Sequence, residues 1–164
     1  MSMQSFSTAD LLDQHPESTV MMDDFKSFGM NTSFFGQAKT IFAPEDNSLV
    51  RQALETEGNN QVLIVDGGGS RACALIGDQL ALLAIKNSWA GIVVHGYIRD
   101  TAVIAEMPVG IKALGTNPRK SDKQNRGEMN IKLTIAQVTV KPGNWVYSDA
   151  DGIIIAEQNL LAPK

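Results

Sequence analysis

Residues 61–98 constrain the fold more than any other part of this 164-residue chain. The run "QVLIVD" (61–66) is apolar almost throughout, which is typical of a strand buried on both faces of a sheet. A turn, "GGGS" (67–70), follows it, and "QLALLAIKNSW" (79–89) then has apolar residues at helical spacing. The next apolar run, "GIVVHGYI" (91–98), is predicted to be a second buried strand. The order strand, turn, helix and strand predicts a parallel crossover.

The segments on both sides of this crossover predict further short elements. "STADLLDQH" is interpreted as a helix with Ser7 as its N-cap, and Pro16 lies just beyond it. The other expected elements are a strand at 37–43, a helix at 47–58, a strand at 110–116, one or two strands at 131–143 and a hairpin at 144–157. This count favours a mixed α/β fold, and the length fits a single domain spanning residues 1–164.

Composition limits the classes of partner. The formal net charge is −4 and the sequence pI is about 5.1, so a broad basic surface for direct nucleic-acid binding is not expected. No run approaches 18 apolar residues, so no membrane span is predicted. The lone cysteine, Cys73, cannot form an internal disulfide, and the N-terminus lacks a basic region ahead of an apolar run. Both features predict a cytoplasmic protein.

The glycine turn allows two interpretations. Gly67, Gly69 and Ala72 fit the spacing G-x-G-x-x-A that follows the first strand of dinucleotide-binding folds. That motif also needs an acidic residue about 20 residues further on to bind the ribose. No Asp or Glu occurs from Gln79 to Arg99. A tight turn that needs positive φ angles is therefore the favoured interpretation.

Acidic residues stand at both edges of this acid-free stretch, and they predict a site. A crossover helix runs antiparallel to the strands that it joins, so its N-terminus and the end of the second strand meet at one edge of the sheet. Gly77, Asp78, Arg99 and Asp100 are therefore expected to converge in the crevice where α/β sheets usually bind ligands.

The residue types in this crevice suit an anionic substrate and a cation. Free amides at the helix start and the guanidinium of Arg99 favour a carboxylate. Asp100 offers oxygen ligands for Mg²⁺ or Mn²⁺, which keep several waters and so need few protein carboxylates. The alternative is purely structural: Asp78 caps a helix, and Arg99 with Asp100 forms a solvated ion pair worth under about 1 kcal/mol.

At these residues the chain resembles a known family. The segments that carry the resemblance are "DNSLVRQALE", "LIVDGGGSRACALIGDQLALLAIKNSWAGIVVHGYIRD", "GIKALGTNPRKS" and "VTVKPGNWVYSDADGIIIAE". Within them, Asp78 is followed by twenty residues and then by Arg99 and Asp100. The chain is similar to the regulator of ribonuclease activity A and the related class II 4-hydroxy-4-methyl-2-oxoglutarate aldolases. The resemblance implies a swivelling β/β/α-type fold and a homotrimer, or a multiple of one, with the site between subunits.

The resemblance also implies a role for each residue. The backbone of Gly77, Asp78, Gln79 and Leu80 would bind a substrate carboxylate. Arg99 would hold the pyruvyl end, and Asp100 would hold Mg²⁺ or Mn²⁺ largely through water. The implied activity is metal-dependent cleavage of 4-hydroxy-4-methyl-2-oxoglutarate, a small 2-oxo acid, to pyruvate. Oxaloacetate decarboxylation would be a side activity through the same pyruvate enolate.

Two departures from the family pattern keep a second function open. Val103 stands where many active members have Asp or Glu, and Asn144 replaces a common Asp. Val103 favours the alternative, a non-catalytic regulator that binds and inhibits a ribonuclease of the RNase E type. The intact set of Asp78, Arg99 and Asp100 favours the enzyme.

Two further segments have less specific interpretations. The loop "PRKSDKQNR" (118–126) has four basic residues against one acid, Asp122. It is expected to be solvated, or else to contact the substrate of a neighbouring subunit. Residues 20–36 are rich in Met and Phe, which indicates packing in a core or a subunit interface.

Overall fold

The computed structural model describes residues 5–161, and this range contains four helices and fourteen strands. The helices are α1 (Thr8–Gln14), α2 (Ser48–Leu54), α3 (Asp78–Lys86) and α4 (Thr101–Ile104). The strands are β1 (Thr19–Val20), β2 (Lys26–Phe28), β3 (Phe34–Phe42), β4 (Val62–Asp66), β5 (Ala74–Ile76), β6 (Gly91–His95), β7 (Tyr97–Ile98), β8 (Ile111–Ala113), β9 (Gly115–Thr116), β10 (Glu128–Met129), β11 (Leu133–Ile135), β12 (Val138–Val140), β13 (Trp145–Ser148) and β14 (Ile153–Ala156). Of the helices in this range, none has the length and apolar character that a membrane span needs.

The largest sheet has a parallel centre. Its order is β1-β14-β13-β3-β4-β6-β8-β2, with β10 paired to β3. β3, β4, β6 and β8 are parallel, whereas β13 and β2 pair antiparallel at the two sides of this group. Ile64 of β4 lies beside Val93 of β6, and both residues belong to strands that are apolar almost throughout. The parallel pairing predicted for these two strands is confirmed.

Alternation along β4 builds two cores on opposite faces of this sheet. Leu63 and Val65 pack with the apolar residues of α2 and α3. Val62 and Ile64 pack instead with the hairpin of β11 and β12, which contributes Leu133, Ile135, Val138 and Val140. Side chains on a strand point alternately to its two faces, so one apolar run supplies both cores. The result is a layer of helices, a mixed sheet and a layer of strands, which confirms the predicted α/β sandwich class.

A second, three-stranded parallel sheet continues from the first. Its order is β5-β7-β9, and the chain enters it from β6 through Gly96. The single strand expected at 91–98 is therefore wrong, because it consists of two strands in different sheets. The strand expected at 110–116 divides in the same way at Leu114, whose amide donates to the carbonyl of Gly96 at 2.9 Å. The apolar pattern continues across both breaks, so hydropathy does not reveal the change of sheet.

The remaining predicted elements occur with shifted ends. The hydroxyl of Ser7 accepts a hydrogen bond from the amide of Asp10 at 3.3 Å, as expected for the N-cap of α1. The strand expected at 37–43 begins earlier, and the helix expected at 47–58 ends earlier. Residues 131–143 form two strands, and 144–157 form the predicted hairpin. In the glycine turn, Gly68 and Gly69 have φ angles of 66° and 72°, which confirms the expected turn.

The turn of the β13–β14 hairpin ties three parts of the chain together. The carboxylate of Asp149 accepts hydrogen bonds from the amide and the hydroxyl of Thr8, both at 2.7 Å. The ammonium of the buried Lys112 donates to the carbonyl of Asp149 at 2.5 Å. Burial alone would raise the pKa of the Asp149 carboxyl, but the hydrogen bonds from Thr8 and Asp151 outweigh it and lower the pKa.

This network predicts a loss of stability on changing Asp149→Asn. An amide nitrogen would face donors at Thr8, so at least one buried hydrogen bond would be lost at a cost of about 1–3 kcal/mol. The melting temperature should fall by roughly 2–10 °C in a calorimetric scan, as expected for a chain of this length. The control is Asp151→Asn, which makes the same change on an exposed neighbour and should leave the melting temperature within about 1 °C. Equal melting temperatures for the two variants would contradict the role given to Asp149.

Candidate active site

A cleft of about 430 Å³ lies where α3 begins, beside the end of β7. Its walls come from α2, from the start of α3, from the two residues after β7 and from the loop that precedes β10. The lining residues are Asn47, Ser48, Arg51, Ala74, Gly77, Asp78, Gln79, Leu80, Arg99, Asp100, Lys120, Ser121, Lys123 and Asn125. All residues that the sequence singles out for substrate and metal therefore line one cavity.

The N-terminus of α3 is capped from a distance. Asp78 is its first residue rather than its N-cap, so the capping role expected for Asp78 is wrong. Gly77 occupies the N-cap position in an extended conformation, and the carboxylate of Asp100 accepts the amide of Asp78 at 3.0 Å. A Cβ on Gly77 would lie 2.7 Å from Oδ2 of Asp100, closer than real contacts allow. A larger residue at this position would therefore displace the carboxylate of Asp100 from its capping position.

The backbone of Arg99 and Asp100 sets this geometry. The amide of Arg99 donates to the carbonyl of Ile76 at 2.9 Å, which ties the end of β7 to the end of β5. Asp100 then adopts the left-handed conformation with φ of 61°, which aspartate tolerates better than most residues. That turn brings its carboxylate back over the start of α3.

The two side chains are not simply a surface ion pair. Nε of Arg99 lies 4.0 Å from Oδ2 of Asp100, which is a loose approach, and the guanidinium also donates to the carbonyl of Pro118 at 3.4 Å. Both side chains are partly exposed, at 41% for Arg99 and 37% for Asp100, and both remain accessible from the cleft. Asp100 is held chiefly by a helix amide, which leaves the Arg99 fork free to bind a ligand.

The start of α3 adds neutral donors to the same wall. The first amides of a helix have no carbonyl partner within the helix, so those of Gln79 and Leu80 are unsatisfied by the helix itself. The helix dipole adds partial positive charge at this end. Together with Arg99, these amides give the wall several hydrogen-bond donors and partial positive charge.

The wall formed by α2 and the polar loop is cationic, which the sequence did not predict. Arg51 from α2 and Lys120 and Lys123 from the polar loop line the cleft together with Arg99, against the carboxylates of Asp78 and Asp100. Four cations and two anions give the cleft a net charge of +2 within a chain of charge −4. The loop expected to be solvated, or to reach a neighbour's substrate, thus contributes to the cleft of its own chain. The only sign of this role in the sequence is the excess of basic residues in "PRKSDKQNR". That excess does not indicate where the loop lies in the fold.

The cleft fits one kind of metal ion better than others. Residues 5–161 contain no cluster of three or more His, Cys, Asp or Glu side chains that is arranged to hold a metal. Within these residues, the cleft therefore does not offer three or more side chains that could bind one metal ion together. Oδ2 of Asp100 is already bound by the amide of Asp78, which leaves Oδ1 for a cation. One carboxylate oxygen suits a hydrated Mg²⁺ or Mn²⁺, which keeps most of its waters.

Val103, the residue that departs from the family pattern, lies away from this lining. It is on α4 with 53% of its surface exposed, and the described residues that line the cleft do not include it. An acid is therefore missing from the outer face of α4 rather than from the cleft wall.

Comparison with known proteins places this fold and cleft in a family. An RraA-like model, described as Aldolase/RraA, matches residues 8–155. A relative from Aromatoleum aromaticum, named "Putative 4-hydroxy-4-methyl-2-oxoglutarate aldolase", is 48% identical over 95% of this chain and 99% of its own length. The fold and cleft define an α/β protein with a polar crevice at the end of a parallel sheet. The chain belongs to the RraA-like family, which confirms the resemblance drawn from its sequence.

Two solved structures support the same assignment. A protein from Geobacillus kaustophilus, described as an S-adenosylmethionine: 2-dimethylmenaquinone methyltransferase, is 45% identical with a TM-score of 0.95 over 97% of this chain and 99% of that chain. The RNA-processing inhibitor RraA from Thermus thermophilis is 43% identical with a TM-score of 0.92 over 98% of this chain and 96% of that chain. The three similar proteins are thus described as having three different functions. The function of this chain must therefore be argued from its cleft.

Proposed function

We propose that this protein is a lyase that cleaves 4-hydroxy-4-methyl-2-oxoglutarate to pyruvate with the help of a divalent metal ion. The observation that carries the proposal is the meeting of the α3 amides, Arg99 and Asp100 in one cleft. The name of the Aromatoleum aromaticum relative supports this choice of substrate.

The substrate has a carboxylate at each end, and the cleft offers cationic groups on two walls. The amides of Gln79 and Leu80 with the guanidinium of Arg99 would bind the carboxylate next to the 2-oxo group. Across the cleft, Lys120 and Lys123 would bind the second carboxylate. This arrangement orients the bond between C3 and C4, the one that breaks.

The chemistry follows from that orientation. A base in the surrounding water takes the proton of the 4-hydroxyl group, the C3–C4 bond breaks, and its electron pair passes to the 2-oxo oxygen. One half then departs as pyruvate and the other as pyruvate enolate. A divalent cation at Asp100 would supply Lewis-acid stabilisation of that developing charge. Arg99 keeps the reacting carbonyl in place while the enolate forms, and later protonation at C3 yields the second pyruvate. Loss of CO₂ from oxaloacetate would give the same enolate, so decarboxylation is proposed as a side activity.

An assay of pyruvate release tests this function. The purified protein should release pyruvate from 4-hydroxy-4-methyl-2-oxoglutarate and from oxaloacetate when Mg²⁺ or Mn²⁺ is present. A chelator should stop both reactions, and added metal should restore them. No release above the rate of buffer with metal alone would refute the proposal.

A second candidate function has its own support. The Thermus thermophilis neighbour is described as an RNA-processing inhibitor, and the exposed Val103 replaces an acid that many active members have. The protein would then bind a ribonuclease of the RNase E type and inhibit it without turning over a 2-oxo acid. Inhibition of such an enzyme in the absence of any pyruvate release would support this alternative.

We also propose that the protein assembles in the cytoplasm as a trimer or a multiple of one. Met22 and Met30, in the Met- and Phe-rich segment, are 69% and 61% exposed, which is costly for apolar side chains left in water. Burial against other subunits would remove that cost. Light scattering at micromolar protein should give a mass of about three times 17.7 kDa or a multiple of that. A monomeric mass would contradict the proposal.

A further inference from the structure

A buried carboxylate lies behind the cationic wall of the cleft. The side chain of Asp46 is fully buried, although it carries a charge. Its Oδ1 accepts the amide and the hydroxyl of Ser48 at 2.9 and 2.6 Å, and its Oδ2 accepts the amide of Gln124 at 2.6 Å. Nε of Arg126 lies 3.5 Å from the same Oδ2. A buried charge with this many donors is stabilised rather than merely tolerated.

These hydrogen-bond donors keep the carboxyl group of Asp46 ionised at neutral pH. Burial alone would raise the pKa of its carboxyl, but the hydrogen bonds from Ser48, Gln124 and Arg126 outweigh burial and lower the pKa from 3.8 to about 2. A carboxyl whose pKa is lowered by folding contributes stability above its unfolded pKa. The contacts should therefore be intact above about pH 4 and be lost as the pH falls toward 2.

Two of the donors belong to residues 119–126, which we call the cationic loop. Its sequence, "RKSDKQNR", contains no apolar residue, and only Ser121 is buried. The loop has no hydrophobic side chain to fix it, so polar contacts determine its position. At one end the carbonyl of Arg119 accepts the amide of Ala74 at 2.7 Å, and at the other end the contacts go to Asp46.

The same loop carries two of the four cations of the cleft. Lys120 and Lys123 line the cavity, whereas Asp46 does not. A backbone bridge pairs Asp46 with Asp122, and the amide of Asp122 donates to the carbonyl of Glu45 at 3.0 Å. Lys123 itself donates to the side chain of Asn47 at 3.2 Å. Asp46 is therefore linked to the position of both lysines without touching the cavity.

We propose that Asp46 is a positioning residue that fixes the cationic loop so that Lys120 and Lys123 recognise the second carboxylate of the substrate. The inference rests on the proposed function for its substrate, but the anchoring of the loop stands on the contacts alone. Asp46, which lies outside the cleft lining, would thus help the protein to distinguish dicarboxylates from monocarboxylates.

The test compares two substrates in the Asp46→Asn variant. Asparagine keeps the shape but turns one acceptor into a donor, which faces the amides or the hydroxyl that Asp46 now accepts. For 4-hydroxy-4-methyl-2-oxoglutarate the KM should rise about 10- to 100-fold, as for lost charge-assisted bonds, while kcat changes less than about threefold. For 4-hydroxy-2-oxopentanoate, which lacks the second carboxylate, KM should change less than about threefold.

A second readout does not depend on activity. Trypsin cleaves after Lys and Arg, so it should cut the cationic loop faster in the Asp46→Asn variant than in the wild type. The matched control is Glu128→Gln, which removes the charge of an exposed side chain two residues beyond the loop. Its KM values and its rate of cleavage should stay close to the wild type. Should Asp46→Asn fail to fold, Arg126→Gln removes one of the same contacts. The KM for the dicarboxylate and the rate of cleavage after Lys120 and Lys123 should then shift in the same direction, by less.

The outcomes separate the two claims. A KM that is unchanged for the dicarboxylate, or raised equally for both substrates, would overturn the positioning role. So would a rate of tryptic cleavage equal to that of the wild type. Absence of turnover in the wild type would instead refute the proposed function, and trypsin would still decide whether Asp46 anchors the loop.

Discussion

Changing Asp100→Asn is expected to abolish metal-dependent pyruvate release while the fold remains intact. Asparagine keeps a carbonyl oxygen that can accept the amide of Asp78, now at 3.0 Å from the carboxylate. It also tolerates the left-handed conformation that Asp100 adopts with φ of 61°. What it removes is the negative charge that would hold a cation. Because the local backbone should survive the change, a loss of activity can be attributed to that charge.

The expected loss in kcat/KM is more than about 100-fold, since changes to groups that only support a metal ligand already cost about 10–100-fold. Calorimetric titration with Mn²⁺ should show a matching loss of binding, and the melting temperature should stay within about 2 °C of the wild type. The control is Glu106→Gln, which removes an exposed acid just beyond α4 and outside the cleft lining. It should keep wild-type turnover. Wild-type turnover in Asp100→Asn at saturating Mg²⁺ would make the metal assignment wrong.

The parts of the fold that could be predicted from the sequence are those where hydropathy and topology agree. The runs that became β4 and β6 are almost continuously apolar, which is typical of parallel strands buried on both faces. Once they are adjacent, the crossover rule brings the start of α3 near the residues after β7. The meeting of Asp78 and Asp100 in one cleft therefore follows from chain geometry and needs no knowledge of side-chain contacts.

Other features could not be predicted because they depend on contacts between distant residues. Asp78 satisfies every local rule for an N-cap, yet the capping oxygen comes from Asp100, 22 residues later. The break between β6 and β7 could not be predicted from hydropathy, because both strands are apolar. They differ only in the strands with which they pair.

The position of the cationic loop could not be predicted from the sequence either. Its residues have neither helical nor strand periodicity, so nothing in the pattern predicted that Lys120 and Lys123 face the cleft. Its position depends on Asp46, which is separated from Gln124 by 78 residues. A buried acid in the short segment "PEDNS" looks like an ordinary turn residue until its partners are known.

Changing Arg99→Lys should lower kcat/KM about 10- to 100-fold, the cost of lost charge-assisted bonds at about 1.5–3 kcal/mol. The guanidinium donates to the carbonyl of Pro118 at 3.4 Å and still presents a fork to the cleft. Lysine keeps the charge but has no planar fork, so it cannot hold a carboxylate with two parallel bonds. Mn²⁺ affinity should change little because Asp100 is untouched. Arg71→Lys is the matched control: Arg71 lies 5.9 Å from the ring of Tyr97, outside the cleft lining, and lysine should leave turnover unchanged.

The same Arg99→Lys variant separates the two candidate functions when it is measured in two assays. If the cleft binds a 2-oxo acid, turnover falls, whereas binding to a ribonuclease partner is retained, because Arg99 would then not belong to the surface that the partner contacts. If the residues after β7 are instead an interaction surface, turnover is absent or unchanged and partner binding weakens. Unchanged turnover with weakened binding would therefore refute the catalytic assignment of Arg99, and with it the argument that this cleft was shaped to hold a substrate carboxylate.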